Sequence, residues 1–341
     1  MKIKKSPAID NFFNQCQKNL ALEDKNKFLD LLISRNEEKS IQREMKKCGF
    51  EEFVGKEDTW PSLYLSTADY LNNEYHKHFD LSVIKEKDFR LEKVRVEPNR
   101  LFLTKAIEKD PKRMLNDQMC LRALDEPYEA SYLYQKDKLW MLDSPSESYT
   151  NDPAAKKAKG KVLTFGLGIG YFSYMALLNP QVKQLTVIEK APEVISLFNK
   201  YLLPQFPKAK KLEIIQGDAF AYFTEEYLKS FDYIYVDIWQ NNQDGLPIIE
   251  KLLQQAHPKD EKLDFWIEDS CMEALWTLVY LYFYDLYFNT HSIVAKEYQT
   301  EVKKIKKYFD GNSETITKVE TLQYYLYDRA ILRQIAMTKL N

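Results

Sequence analysis

The stretch that decides the fold is Val162-Leu163-Thr164-Phe165-Gly166-Leu167-Gly168-Ile169-Gly170-Tyr171, an apolar strand-like run that enters three glycines spaced two apart. The chain has only nine glycines, so three within five residues mark a place with special backbone demands. Glycine permits positive φ and removes the side chain where backbone must approach a ligand. A helical pattern starts at Tyr171, and the free N–H groups of a helix start would face the same place. The spacing is G-x-G-x-G. A dinucleotide fingerprint would need glycine at Tyr171, and a P-loop is excluded because no G-x-x-x-x-G-K-[ST] occurs.

Outward from this turn the chain alternates. Strands are expected over 162–165, 185–189, 212–216, 233–237 and 263–267, separated by helical patterns over 171–178, 192–203, 219–229 and 246–256. Such alternation predicts an α/β, Rossmann-like domain: a twisted parallel sheet with helices on both faces. Its ligand would lie outside the carboxyl ends of the strands, where strand order reverses. Polar residues stand at those ends. Glu189 closes the second strand about twenty residues after the glycines, where a carboxylate can accept ribose hydroxyls; Lys190 follows it. Asp218 and Ala219 follow the third strand, with Asp218 also suited to cap the next helix. Asp237 ends the fourth strand, where it could orient or deprotonate a nucleophile. Trp239 is suited either to cover the cleft or to anchor the core.

Ahead of the turn stands Trp140-Met141-Leu142-Asp143-Ser144-Pro145-Ser146-Glu147-Ser148-Tyr149-Thr150-Asn151, and after the fourth strand comes Asp237-Ile238-Trp239. Together with Gly166-Leu167-Gly168-Ile169-Gly170 these resemble the class I S-adenosylmethionine (SAM) dependent methyltransferase superfamily, and within it a spermidine-synthase-like subgroup. The resemblance covers about residues 142–270, less than half the chain. It implies S-adenosyl-L-methionine as cofactor, held by Gly166, Leu167, Gly168, Gly170, Glu189, Lys190, Asp218, Ala219, Asp237 and Trp239. Asp143, Glu147, Thr150 and Asn151 would lie near its sulfonium end. Asp218 would bond the adenine amino group, and Asp237 is the candidate catalytic residue. The chain departs from true aminopropyltransferases in having no acid in the glycine turn and Gln240 in place of the second Asp of D-x-x-D. Transfer of a methyl group to an unidentified small-molecule or protein acceptor is therefore the leading expectation. Aminopropyl transfer and a non-catalytic SAM-binding or interaction module are the alternatives.

The rest of the chain divides by pattern. Residues 1–88 read as a helical region, with helices over 10–20, 23–34, 37–48 and 66–78 and a less regular stretch between the last two. Asp10, Asp24 and Asn36 are the expected caps, and Gly49 the left-handed residue that ends the third helix. Residues 89–150 read as a small antiparallel sheet, with strands near 91–96, 100–103, 132–135 and 139–142, leading into the cofactor loop. A break over 143–148 and a short helix over 152–160 follow. Residues 151–341 form the Rossmann-like domain with a helical C-terminus, in which no closing antiparallel strand pair is legible. The small sheet is expected over the cleft, and the helices of 10–48 further away as a lid or the contact of a homodimer.

Composition narrows the function classes. A net charge of −2 gives no bulk reason to bind nucleic acid. The most apolar run, 274–284, is shorter than the ~20 residues that span a bilayer and is broken by Asp285. Cys16, Cys48, Cys120 and Cys271 form no C-x-x-C pair, so neither a zinc ribbon nor a redox dithiol is indicated. No metal spacing appears; His76 and His78 are expected at the surface. Free thiols and the lack of an apolar run after Met1 fit a cytoplasmic protein.

Overall fold

The computed structural model describes residues 1–51, 60–206 and 208–340; residues 52–59, within the irregular stretch expected after Gly49, lie outside them. Five strands follow the expected alternation: β1 (Gly160–Phe165), β2 (Val182–Glu189), β3 (Leu212–Gln216), β4 (Tyr233–Val236) and β5 (Leu263–Phe265). All pair in parallel, in the order β3-β2-β1-β4-β5. This is an α/β Rossmann-like sheet, with the reversal of strand order between β1 and β4. Side chains alternate across it as strand geometry requires. Val162, Leu185, Val187, Tyr233 and Tyr235 pack on one face with the helices Pro145–Lys157 and Tyr171–Leu178. Leu163, Phe165, Ile188, Ile234 and Val236 pack on the other with the C-terminal helices.

Among the described residues the sheet ends at β5. The chain passes from it into the helix Glu268–Phe288, followed by Gln299–Asp310, Val319–Tyr327 and Arg329–Met337. Arg333, fully buried, clamps this layer to β5. Its guanidinium donates to both Glu268 carboxylate oxygens and to Asp260, each at 2.7 Å, and to Leu263 O at 3.0 Å. No helix among the described residues is long and apolar enough to cross a membrane.

The N-terminal helix departs from the expected lid. It spans Pro7–Leu20, starting earlier than expected because Ser6 caps it and Pro7 fills its first turn. Asp10 is not the cap; it accepts a bond from the Tyr287 hydroxyl at 2.7 Å. Ile9, Phe12, Phe13 and Cys16 are buried in the same core as the C-terminal helices, and the Phe13 ring stacks on Tyr287 at 5.0 Å. Lys2–Ile3 pairs in parallel with Thr315–Ile316. In space the first twenty residues thus belong to the C-terminal layer.

The expected helix over 23–34 is absent. Asp24 caps only a 3-10 turn, Lys25–Phe28. The chain then turns through Asp30 at φ 60° and pairs with residues 99–101, through Asp30 N to Leu101 O, Leu101 N to Leu31 O and Ile33 N to Asn99 O. Those cross-chain bonds use the groups that a helix would need. Glu38–Lys47 is helical as expected, though Asn36 does not cap it, and Gly49 follows at φ +86°. The expected helix over 66–78 splits in two, Thr67–Leu71 and Glu74–His78, because the Asn73 side chain caps the second by accepting from His76 N.

The antiparallel meander consists of Phe89–Val96, Tyr128–Gln135 and Lys138–Leu142. Residues 102–103 do not join it; Phe102–Leu103 pairs with Leu121–Leu124, which also pairs with Tyr64–Leu65. The expected break at 143–148 is instead the start of a 13-residue helix, Pro145–Lys157, with Ser144 as its cap and Pro145 in its first turn.

Candidate cofactor site

The site forms where β1 and β4 end side by side. Asp237 N donates to Phe165 O at 3.0 Å, so the chain leaving β1 runs against the chain leaving β4. A Cβ on Gly166 would stand 2.1 Å from Asp237 O, so only glycine fits there, at φ +94°. Gly168 and Gly170 also have positive φ, +54° and +83°. A Cβ at Gly168 would meet Met141 Cε at 2.7 Å, and one at Gly170 would meet the Phe198 ring at 2.6 Å. Gly170 opens the helix Tyr171–Leu178 with no side-chain cap, leaving its first N–H groups at the turn.

The turn borders a cavity of 620 Å³, a size typical of small-molecule sites, roughly 300–1,000 Å³. Its wall contains Gly166, Leu167, Gly168, Gly170, Glu189, Lys190, Asp218, Ala219, Asp237, Trp239, Asp143, Glu147 and Asn151. Of the residues singled out in the sequence, Thr150 is the exception. It lies one position from Asn151 on the same helix and faces elsewhere: its hydroxyl bonds Ser146 O at 2.7 Å and receives the Trp266 indole N–H at 2.9 Å.

Glu189 is held by two backbone donors. Leu167 N reaches Oε2 at 3.0 Å and Ala191 N reaches Oε1 at 2.8 Å. A carboxylate has about four acceptor positions, so it can brace the turn and still accept hydroxyls. Asp218 caps the helix Ala219–Tyr222 by accepting from Phe220 N at 2.9 Å and pairs with the exposed Lys190 at 2.8 Å. The bond from Lys190, then that from Phe220, hold its carboxyl below the usual range. Trp239 is buried against Phe265 and over Gly245, where a Cβ would come within 3.0 Å of the indole nitrogen. It is both core anchor and cavity wall.

The far end of the cavity gathers acids. Burial pushes the Asp237 carboxyl up to about 7, opposed by the neighbouring Asn151 amide; the residue is half-buried and lines the cavity. Glu147 is pushed up to about 8 by burial, then by the charges of Asp237 and Asp143. Asn151 is fixed by Tyr235, whose hydroxyl donates to Oδ1 at 2.9 Å, and by its own donation to Glu147 O at 3.0 Å. Asp143 Oδ1 faces His76 Nε2 at 3.0 Å and the Tyr70 hydroxyl at 3.4 Å.

Two contributors were not legible in the sequence. Trp266, which follows β5 and lines the cavity, carried one signal, its place at a strand's carboxyl end. His76, expected at the surface, has a side chain only 6% exposed. It carried no signal, because its partner lies 67 residues away.

No family model and no curated relative matches the sequence. Solved structures resemble parts of it. A mitomycin 7-O-methyltransferase is 17% identical over 35% of this chain and 34% of its own, with a TM-score of 0.27. A dimethyladenosine transferase from Plasmodium falciparum is 26% identical over 35% and 40%, with a TM-score of 0.26. An O-methyltransferase from Bacillus cereus, in complex with SAH, is 15% identical over 34% and 54%, with a TM-score of 0.26. The chain thus spans about a third to a half of the length of these proteins.

Proposed function

We propose that the protein is a SAM-dependent methyltransferase acting on a small-molecule or protein acceptor. The observation that carries this reading is the convergence on one cavity of the glycine turn after β1, Glu189 after β2, Asp218 after β3 and Asp237 after β4. The donor set suits the cofactor. Glu189 retains acceptor positions for ribose hydroxyls, Asp218 and the Ala219 backbone would read an adenine edge, and Gly168, at φ +54°, carries no side chain between the turn and Met141. When bound, SAM would supply an electrophilic methyl group.

The remaining work falls to the chain. The glycine turn and Glu189 would fix the nucleoside, and Trp140, Trp239 and Trp266 would shield the acceptor end from water. Asp237, held near neutrality by burial, is suited to accept a proton from an acceptor nitrogen or oxygen. Asn151 would keep that carboxyl in place. Most of the acceleration would come from holding acceptor and donor in line.

One observation favours aminopropyl transfer as a second reading. Lys190 is the sole basic side chain in the described cavity wall, and it is paired with Asp218, whereas Asp143, Glu147 and Asp237 are acids. An ammonium group suits that end better than the α-carboxylate of SAM, which decarboxylated SAM lacks. A non-catalytic SAM-binding module remains the third reading. Calorimetric titration with SAM, S-adenosylhomocysteine and decarboxylated SAM separates them. Preference for SAM together with transfer of labelled methyl to a cell-extract fraction supports the first reading. Preference for decarboxylated SAM supports the second. Binding without transfer supports the third, and no binding by any of the three refutes the site.

A further inference from the structure

The short helix Glu74–His78 comes from a part of the chain far from the cofactor motifs, yet it closes on the cavity at two points. The Tyr75 hydroxyl donates to Ile169 O of the glycine turn at 3.0 Å. The His76 ring lies between two oxygens, Nδ1 3.1 Å from Tyr70 O and Nε2 3.0 Å from Asp143 Oδ1.

A carbonyl oxygen can only accept, so Nδ1 must carry a proton. In a neutral ring Nε2 would then present a lone pair to a carboxylate. The contact is favourable when a proton lies between Nε2 and Oδ1; carried by the more basic imidazole, it makes an imidazolium–carboxylate pair. The surroundings suit that cation. The rings of Tyr70 and Tyr75 lie 4.4 and 5.5 Å from the imidazole, within the roughly 6 Å over which aromatic rings attract cations. The polar neighbours are the Tyr70 hydroxyl, aimed at Asp143, and the Tyr171 hydroxyl, bonded to Asp152 at 2.8 Å. Glu147 stands beyond Asp143, and Tyr128 packs behind Tyr70. Glu74, Lys77 and His78 on the same helix are more exposed, their side chains 38–58% open to solvent. The side chains of His76 and Asp143 are 6% and 14% exposed, so little water competes for the contact.

We propose that His76 is a positioning residue of the donor cavity: as an imidazolium it holds Asp143 ionised and oriented, leaving Oδ2 to receive a cationic group of the bound ligand. Both bonds to Asp143 fall on Oδ1, and Oδ2 has no hydrogen-bond partner among the described residues. The pairing matters because Asp143 shares its end of the cavity with Glu147 and Asp237. Three acids in one enclosure compete for protons, and a fixed cation beside one of them keeps that one charged. The proposal rests on the reading of the cavity as a site for a SAM-type donor.

The test has two parts. Nitrogen NMR of the cofactor-free protein is expected to show both ring nitrogens of His76 protonated at neutral pH, with Nε2 losing its proton in Asp143→Asn. Titration with SAM and decarboxylated SAM is expected to show about a tenfold weaker affinity in His76→Gln and in His76→Phe. Neither substitution should add to the effect of Asp143→Asn. Wild-type affinity in His76→Phe would overturn the proposal and leave the ring a packing element. So would a singly protonated ring, or equal losses with and without Asp143. Circular dichroism checks that each variant is folded. If the wild-type protein binds neither donor nor S-adenosylhomocysteine, the donor-site reading falls and this proposal with it. Intact donor binding with a singly protonated ring overturns the proposal alone.

Discussion

Asp237→Asn tests whether the cavity trades stability for a usable carboxyl. The substitution keeps the shape and removes the charge. In the folded protein burial holds the Asp237 proton up to about 7, against an ordinary value of 3.8. Between those values the folded state binds more protons than the unfolded chain, so stability falls as pH rises. The contribution of the protonated carboxyl is fully present below the unfolded value and is lost as pH passes through about 7. Keeping the charge buried at alkaline pH then costs about 4 kcal/mol relative to the protonated form. Roughly two-thirds of that cost appears between about pH 5 and about pH 8. Comparing the two pH values cancels any pH-independent effect of the amide. Asp237→Asn should therefore gain about 3 kcal/mol on the wild type over that interval, or about 4 °C in melting temperature for a chain of this size. Glu147 acts in the same direction, because losing the Asp237 charge relieves it. The assay is thermal unfolding of cofactor-free protein at the two pH values, followed by a methyl-transfer assay, which should fail in the variant. A stability difference that does not change with pH would refute the buried, raised carboxyl and with it the case for Asp237 as a proton acceptor.

Glu189→Ala should weaken SAM affinity by tenfold or more, as loss of hydrogen bonds to a charged group of about 1.5–3 kcal/mol requires. It should also lower the melting temperature, because the carboxylate braces Leu167 N and Ala191 N. Glu189→Gln should lose less of both, and equal affinities for all three proteins in calorimetry would remove Glu189 from the site. Gly168→Val must adopt φ +54° and push Met141 toward the cavity; SAM binding should vanish with the circular dichroism spectrum unchanged, and wild-type affinity would misplace the turn. Deleting residues 1–50 should unfold the C-terminal layer, since Phe12 and Phe13 fill a core shared with Tyr280 and Tyr287. Dye binding and hydrogen exchange would show this, and a truncated protein with native exchange protection would contradict the packing.

The parts whose physical demands are local were legible along the chain. Strands β1 to β5 were legible because buried parallel strands need short apolar runs, and the helices between them because their period changes. Gly166, Gly168 and Gly170 were legible because positive φ leaves its mark on the residue that adopts it. The acids Glu189, Asp218 and Asp237 could be placed because each follows directly on a strand whose end the sheet topology puts at the cleft. Packing in three dimensions set what depends on partners distant along the chain. Residues 23–34 carry helical spacing, yet bonds to residues 99–101 draw them out of a helix. The helix Pro7–Leu20 is amphipathic in sequence, but only packing says that its apolar face meets Glu268–Phe288. Thr150 and Asn151 are neighbours in one motif, and the helical rotation between them sends one to the cavity and the other to Trp266. His76 and Asp143 meet across 67 residues because the cavity wall is assembled from separate elements. A hydrogen bond between two side chains leaves no periodicity in either segment that supplies them.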